Sequence, residues 1–283
     1  TIAGTATEDQ VLTASNSLAD EDGMGTVTYT WSNGATGETI TLAQSDVDST
    51  ITVTATYEDA QGTDETMTSA ATTAVVNVND SPTGAVTITG TATEDQVLTA
   101  SNSLADEDGM GTVTYTWSTG ATGDTITLAQ SDVGSTITVT ASYTDLQLTA
   151  ETMISAATAA VANVNDSPTG SVTITGTATE DQVLTASNSL ADEDGMTSST
   201  VIYTWSTGAT GETITLTQSD VGSTITVTAS YIDDFSEAES VASAATAAVA
   251  NVNDSPTGAV TITGTAVEDG VLTASNSLAD EDG

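Results

Sequence analysis

Acidic and amide side chains recur at fixed points along this chain, and their types are those that ligate hard cations. Glu8 lies in GTATEDQ, Asn79 and Asp80 lie in NVNDSP, and Asp106 and Asp108 lie in ADEDG. Ca²⁺ takes about six to eight oxygen ligands from carboxylates, amides and carbonyls. The 283 residues include 40 Asp and Glu but no Lys, Arg or His, so the formal net charge is −40. We therefore expect bound divalent cations to neutralise the clustered carboxylates.

The acidic segments return because the chain is built from repeats. GTATEDQVLTASNSLADEDGM begins at Gly4, Gly90 and Gly176, and a close variant begins at Gly264, with offsets of 86, 86 and 88 residues. A period of this length suits one small domain per repeat. The sequence predicts three complete repeats at residues 1–80, 81–166 and 167–254, and the opening strands and loop of a fourth at residues 255–283.

Between the loops, apolar residues alternate with Thr. Ile51, Val53, Ala55 and Tyr57 are separated by single Thr residues, and this period of two is typical of antiparallel strands with one solvated face. The fold class is predicted to be all-β, with tandem Ig-like, Greek-key β-sandwiches joined end to end by short linkers. In the second repeat the expected strands are A near 84–90, B near 97–101, C near 112–118, E near 125–128, F near 136–144 and G near 151–164.

Sandwich geometry sorts the acidic residues onto the two ends of each domain. The A–B and E–F turns lie at the end nearest the next domain, and the B–C loop lies at the end nearest the previous one. At the first junction this brings together Glu8, Asp46, Asn79, Asp80, Asp106 and Asp108. The equivalent residues are Glu94, Asp132, Asn165, Asp166, Asp192 and Asp194 at the second junction, Glu180, Asp220, Asn253, Asp254, Asp280 and Asp282 at the third, and Asp20 and Asp22 in the first B–C loop. All are predicted interdomain Ca²⁺ ligands.

Simpler interpretations exist for each group. Asp46, Asp132 and Asp220 could cap a short turn, and Glu8 could stand in a plain solvated turn. Mg²⁺ suits the pattern less well, because it requires a rigid octahedron and retains water. The aromatic residues Tyr29, Trp31 and Tyr57 are predicted to be core residues rather than a sugar-binding platform.

Several residues carry a resemblance to a known class of protein. Tyr29-x-Trp31, the TITL strand from Thr39, the SDV turn and a strand that ends at Tyr57 resemble an Ig-like domain without its disulfide. The whole repeat resembles the tandem Ig-like or cadherin-like modules of large bacterial surface proteins, especially RTX-type adhesins. This resemblance implies a secreted, cell-surface extender region that Ca²⁺ makes rigid.

The lack of basic residues and of cysteine limits the functions that this chain can be expected to have. Catalysis is not expected, because the chain has no His, Lys, Arg or Cys and its paired carboxylates recur at linkers. Nucleic acid and anionic membrane surfaces would be repelled. The leading hypothesis is a structural spacer whose partners are its neighbouring repeats. The alternatives are a carbohydrate-binding or cell-adhesion module using the variable F–G loop around Phe235, and a subunit that assembles with like chains into an extracellular filament.

Overall fold

The computed structural model describes residues 1–197 and 199–282, and it consists of short antiparallel strands with three 3-10 helices among these residues. Gly283, the last residue of the segment predicted to open a fourth repeat, lies outside the described residues. The chain divides into two compact units, Thr1–Ala162 and Asn163–Gly283. The predicted all-β class is confirmed.

The first unit contains the first two repeats. The first repeat comprises β1 (Ile2–Ala3), β2 (Val11–Ala14), β3 (Thr28–Trp31), β4 (Thr39–Thr41), a 3-10 helix (Gln44–Asp46), β5 (Val53–Glu58) and β6 (Asp64–Thr68). The second comprises β7 (Val86–Thr89), β8 (Val97–Asn102), β9 (Thr114–Trp117), β10 (Thr125–Thr127), a 3-10 helix (Gln130–Asp132), β11 (Val139–Thr144) and β12 (Ala150–Ile154).

The second unit contains the third repeat and a further hairpin. The third repeat comprises β13 (Val172–Thr175), β14 (Val183–Asn188), β15 (Ile202–Trp205), β16 (Thr213–Thr215), a 3-10 helix (Gln218–Asp220), β17 (Val227–Ile232) and β18 (Ala238–Ala242). Strands β19 (Val260–Thr263) and β20 (Thr273–Asn276) then pair as an antiparallel hairpin.

Each complete repeat is a sandwich of two three-stranded sheets. In the first repeat the sheets have the orders β1-β2-β4 and β3-β5-β6, which correspond to strands A-B-E and C-F-G of an Ig-like domain. The alternating pattern fixes the buried faces, since Val53, Ala55 and Tyr57 of β5 are buried while the intervening Thr residues are not. Trp31 and Leu12 pack in this core. The other two repeats have separate cores of the same composition.

Strand G is shorter than the sequence predicted. Strand β12 ends at Ile154, and residues 155–162 make only single bridges, including Thr136 with Ala160 and Val133 with Val161. Ser155 accepts the Val139 N–H through its hydroxyl, while its own N–H donates to the Val139 carbonyl (2.9 Å). Thr158 pairs with Ile137 in the same way, so side-chain hydroxyls replace backbone carbonyls as acceptors in this part of the ladder.

The chain's helical segments are brief. None of the helices in the described residues is long and apolar enough to cross a membrane.

Candidate metal centre

Glu8 is the first side chain of the candidate centre in the first unit, and the A–B turn places it. The Glu8 N–H donates to the Val76 carbonyl (2.9 Å), and the Asp9 N–H donates to the Leu42 carbonyl (3.0 Å). The carboxylate of Glu8 is directed back under the segment that leaves the domain, where its Oε2 accepts a hydrogen bond from the Val78 N–H (3.1 Å). Glu8 is consequently only 2% exposed.

Asp80 and Asp108 approach the same place from the linker and from the second repeat. The Asp80 N–H donates to Oδ2 of Asp108 (2.7 Å), while the Asp108 N–H donates to Oδ1 of Asp106 (3.0 Å) and closes the B–C loop. Gly109 follows with a φ of +84°, a conformation that residues with a side chain rarely adopt. Asp108 is 2% exposed, and its Oδ1 is buried without a hydrogen-bond partner.

Glu8, Asp80 and Asp108 thereby form a trio, each contributing a carboxylate oxygen within 4.8 Å of the other two. The second unit contains the same arrangement, formed by Glu180, Asp254 and Asp282. There the Val252 N–H donates to Glu180 Oε2 (3.1 Å) and the Asp254 N–H donates to Asp282 Oδ2 (2.8 Å). The linker therefore supplies one backbone donor to each of the two carboxylates that flank it.

No cationic side chain offsets the charge of this trio. Burial raises the pKa of Glu8 above its ordinary value, the negative charges of Asp80 and Asp108 raise it further, and the hydrogen bond from Val78 opposes the shift. A buried carboxylate oxygen without a donor costs free energy unless something neutralises it. A divalent cation bound among the three carboxylates would satisfy Asp108 Oδ1 and remove the mutual repulsion.

The donor set fits Ca²⁺. Three carboxylates drawn from two turns and a linker offer several oxygens with flexible spacing, which suits a large hard cation better than Mg²⁺. A cavity of about 280 Å³ lies beside the linker and is bounded by Asp80, Asp106 and Glu107 among others. Of the trio, only Asp80 lines it.

Other predicted ligands have hydrogen bonds of their own. Both carboxylate oxygens of Asp46 accept from Asn33 Nδ2 (3.1 and 3.2 Å), and Oδ2 also accepts from the Ala43 N–H (3.0 Å). Asp132 and Asp220 accept from the backbone three residues earlier in the same way. These bonds match the turn-capping alternative.

The first Asp of the DEDG loop contacts a tyrosine in each of the three complete repeats. The hydroxyl of Tyr143 donates to Asp106, that of Tyr57 donates to Asp20 (2.8 Å), and that of Tyr231 donates to Asp192. The hydrogen bond to Asp20 is the main cause that raises the pKa of Tyr57 to about 12. Since the other oxygen of Asp106 accepts the Asp108 N–H, Asp106 shapes the loop that holds Asp108.

The remaining predicted residues are distributed as follows. Asn79 Nδ2 donates to Glu151 Oε1 (2.8 Å), Asn165 Nδ2 donates to Glu239 Oε1 (2.8 Å) and Asn253 Nδ2 donates to the Asp254 carbonyl (2.9 Å). Asp22 and Asp282 donate their N–H groups to Asp20 and Asp280. Glu94 is buried in the first unit, and in the second unit the Asp166 N–H donates to Asp194 Oδ2 (2.7 Å).

Sequence reasoning missed a carboxylate in the F–G loop. Asp145 is 3% exposed; its Oδ1 accepts from the Thr149 N–H (2.7 Å), while its Oδ2 is buried without a partner. The next residue, Leu146, donates its N–H to the Asp108 carbonyl (3.3 Å). The sequence did carry a signal for this residue. In each complete repeat an Asp lies two residues after the Tyr that ends strand F, although the rest of the loop varies.

Comparisons with known proteins give structural likenesses only. No protein-family model matches the chain, and no curated protein matches it. The chain is similar to a tetra-tandem repeat from the extending region of a large adhesion protein, at 19% identity, covering 99% of this chain and 89% of that one, with a TM-score of 0.29. It is also similar to a Ca²⁺-stabilized adhesin that helps an Antarctic bacterium bind ice, at 16% identity, covering 93% and 74%, with a TM-score of 0.30.

A third similar structure is a marsupial T cell receptor, at 11% identity, covering 86% of this chain and all of that one, with a TM-score of 0.29. Likeness at these TM-scores carries no conclusion about function. The functional assignment therefore depends on the acidic trio and on the composition of the chain.

Proposed function

We propose that this chain is a structural extender of a large, secreted bacterial surface adhesin, in which Ca²⁺ fixes each repeat to the next. The observation that carries the proposal is the trio of Glu8, Asp80 and Asp108, which joins a turn of one repeat, the linker and a loop of the next. The buried, unpartnered Oδ1 of Asp108 supports a ligand at that point.

An ion at this position would act on the joint between repeats. Val78 and Asp80 of the linker already donate backbone hydrogen bonds to Glu8 and Asp108, so the linker is held on both sides. Adding an ion replaces carboxylate repulsion with shared attraction and removes freedom at the joint. Extracellular modules bind Ca²⁺ with Kd values of roughly 10⁻⁴ to 10⁻³ M, which extracellular calcium is sufficient to fill.

A spacer needs no catalytic machinery, and the composition agrees with that role. The chain has no His, Lys, Arg or Cys, so the general bases and nucleophiles that most enzymes use are missing apart from carboxylates and hydroxyls. The trio of the first unit also recurs at the linker within the second unit, which suits a repeated structural task.

Small-angle scattering of the full chain, with millimolar CaCl₂ and then with excess EGTA, tests the proposal. In calcium we expect a larger maximum dimension and a narrow range of conformations. After chelation we expect the range of conformations to broaden as the joints loosen. Two controls test for simple screening of the −40 charge: MgCl₂ at the same concentration as CaCl₂, and NaCl at the same ionic strength. Identical scattering profiles with and without calcium would refute the proposal.

A further inference from the structure

The F–G loop of the second repeat contains a buried carboxylate oxygen that its own loop does not use. Asp145 is 3% exposed, and its Oδ1 accepts the Thr149 N–H (2.7 Å), which closes the loop. Its Oδ2 is buried without a hydrogen-bond partner. The loop thus satisfies one oxygen of the carboxylate and leaves the other to a partner from outside the loop.

The third repeat has the same arrangement. Asp233 is 3% exposed, and its Oδ1 accepts from the Phe235 and Glu237 N–H groups (2.8 Å each). Its Oδ2 is again buried without a hydrogen-bond partner. A buried ionised oxygen costs free energy unless a donor or a positive charge compensates it. Because the two loops differ in sequence but share this oxygen, the arrangement indicates a common ligand.

The F–G loop touches the B–C loop beside Asp145. The Leu146 N–H donates to the Asp108 carbonyl (3.3 Å). Tyr143 and Asp145 are buried on either side of an exposed residue, so their side chains point to the same side, and the Tyr143 hydroxyl donates to Asp106 of the B–C loop. Asp145 is therefore directed at the loop that contains Asp108, whose Oδ1 is also buried without a hydrogen-bond partner.

We propose that Asp145 and Asp108 bind a second divalent cation, of the Ca²⁺ class, between the F–G and B–C loops of one repeat. Asp233 and Asp194 form the same site in the third repeat. This inference rests on the proposed function only in that Asp108 is common to both sites, as a carboxylate can bridge two cations. Two carboxylates carry less charge than the trio, so this second site is the weaker of the two.

A buried water molecule is the competing occupant. Water donates two hydrogen bonds and could satisfy both oxygens, but it would leave two buried negative charges without compensation. The chain has no Lys, Arg or His that could supply a positive charge instead, which favours the cation. The two occupants differ in one measurable respect, because only the cation makes the order of the F–G loop depend on calcium.

Asp145→Asn in the full chain separates them, since the variant removes the charge but keeps an oxygen to accept the Thr149 N–H. Hydrogen exchange of peptides spanning 144–151 reports the Leu146 and Thr149 amides. At a calcium concentration about ten times Kd, we expect exchange in the natural chain to slow by about tenfold relative to EGTA, and the variant to lose most of this response. Glu107→Gln removes the same charge from an exposed position of the B–C loop and should keep the response. An equal calcium response in Asp145→Asn and the natural chain, or none in either, would overturn the inference.

Equilibrium dialysis of ⁴⁵Ca²⁺ in about 0.15 M KCl distinguishes failure of this inference from failure of the proposed function. Asp145→Asn is expected to lower the number of ions bound per chain by one at millimolar calcium, and Glu8→Gln is expected to remove the ion of the trio. If only Glu8→Gln lowers the count, the second site is wrong and the junction ion stands. If only Asp145→Asn lowers it, the second site stands and the junction ion is wrong. If neither lowers it, both are wrong.

Discussion

Replacing Asp108 by Asn should stabilise the chain without calcium, and calcium should cancel most of that gain. The trio holds three carboxylates whose oxygens lie within 4.8 Å of one another. At the 4.8 Å limit and an effective dielectric constant of about 20, each like-charged pair costs ~3.5 kcal/mol before screening by solvent and salt. Asp108→Asn removes two of the three pairs and retains an oxygen to accept the Asp80 N–H. After screening, we expect the variant to be more stable than the natural chain in EGTA, by about 1–2 kcal/mol.

In calcium this gain should largely disappear. At a calcium concentration one hundred times Kd, an ion that binds only the folded form contributes about 2.7 kcal/mol. Losing one charged ligand and at least a factor of ten in affinity lowers this by about 1.4 kcal/mol. For a module of this size, each kcal/mol moves Tm by about 4–8 °C.

The measurement must be local, because the chain has three separate hydrophobic cores among the described residues. Hydrogen exchange followed by mass spectrometry on peptides spanning 76–84 reports the Val78 and Asp80 amides, which donate to Glu8 and Asp108. Glu107→Gln is the matched control, since it removes the same charge from an exposed position in the same loop. If Asp108→Asn and Glu107→Gln shift protection equally in EGTA and in calcium, the effect is general charge reduction and the site reasoning is refuted.

Four further outcomes follow from the structure. In EGTA, the free energy of unfolding should rise as pH falls toward the raised pKa of Glu8, because the folded state then binds more protons than the unfolded state. Thermal melts between about pH 4 and 7 measure this, and a Tm that does not change with pH would contradict it. Leu98→Ala should cost about 2–5 kcal/mol by denaturant titration, because Leu98 is fully buried. Tyr57→Phe should remove one phenol that ionises near pH 12 in absorbance titrations. Gly84→Ala should destabilise the chain in urea titrations, because its φ is +94° and an added Cβ would lie 2.2 Å from the Ser103 carbonyl oxygen.

The fold was predictable because strict alternation leaves few choices. A period of two determines which side chains are buried, so the core residues of β5 and the position of Trp31 follow from the pattern. The end of strand G did not follow, because Ser155 accepts the Val139 N–H through its hydroxyl while its own N–H donates to the Val139 carbonyl. A serine in an Ala-, Thr- and Ser-rich stretch carries no sequence signal for that role.

The site was predictable in part. Loop placement at the ends of a sandwich was sufficient to associate Glu8, Asp80 and Asp108, which the structure brings within one cluster. The sequence could not show that Asp106 contacts Tyr143, since the two are 37 residues apart in the chain and their contact depends on loop shape. Asp145 was missed for a related reason, because variation around it concealed its constant spacing from the tyrosine.

The location of the buried acids explains how so acidic a chain can fold and still depend on cations. Among the described residues the buried carboxylates are Glu8, Asp46, Asp59, Glu94, Asp108, Asp145, Glu180, Asp194 and Asp233. All lie outside the strands, in turns at the ends of the repeats. The cores are apolar, so no charged group has to be buried for them to form. The hydrophobic driving force therefore operates at any calcium concentration. Repulsion is concentrated where one repeat meets the linker. Chelation should therefore loosen the joints before the cores unfold, and protection of the Leu98 amide should outlast protection of the Asp80 amide as calcium is withdrawn.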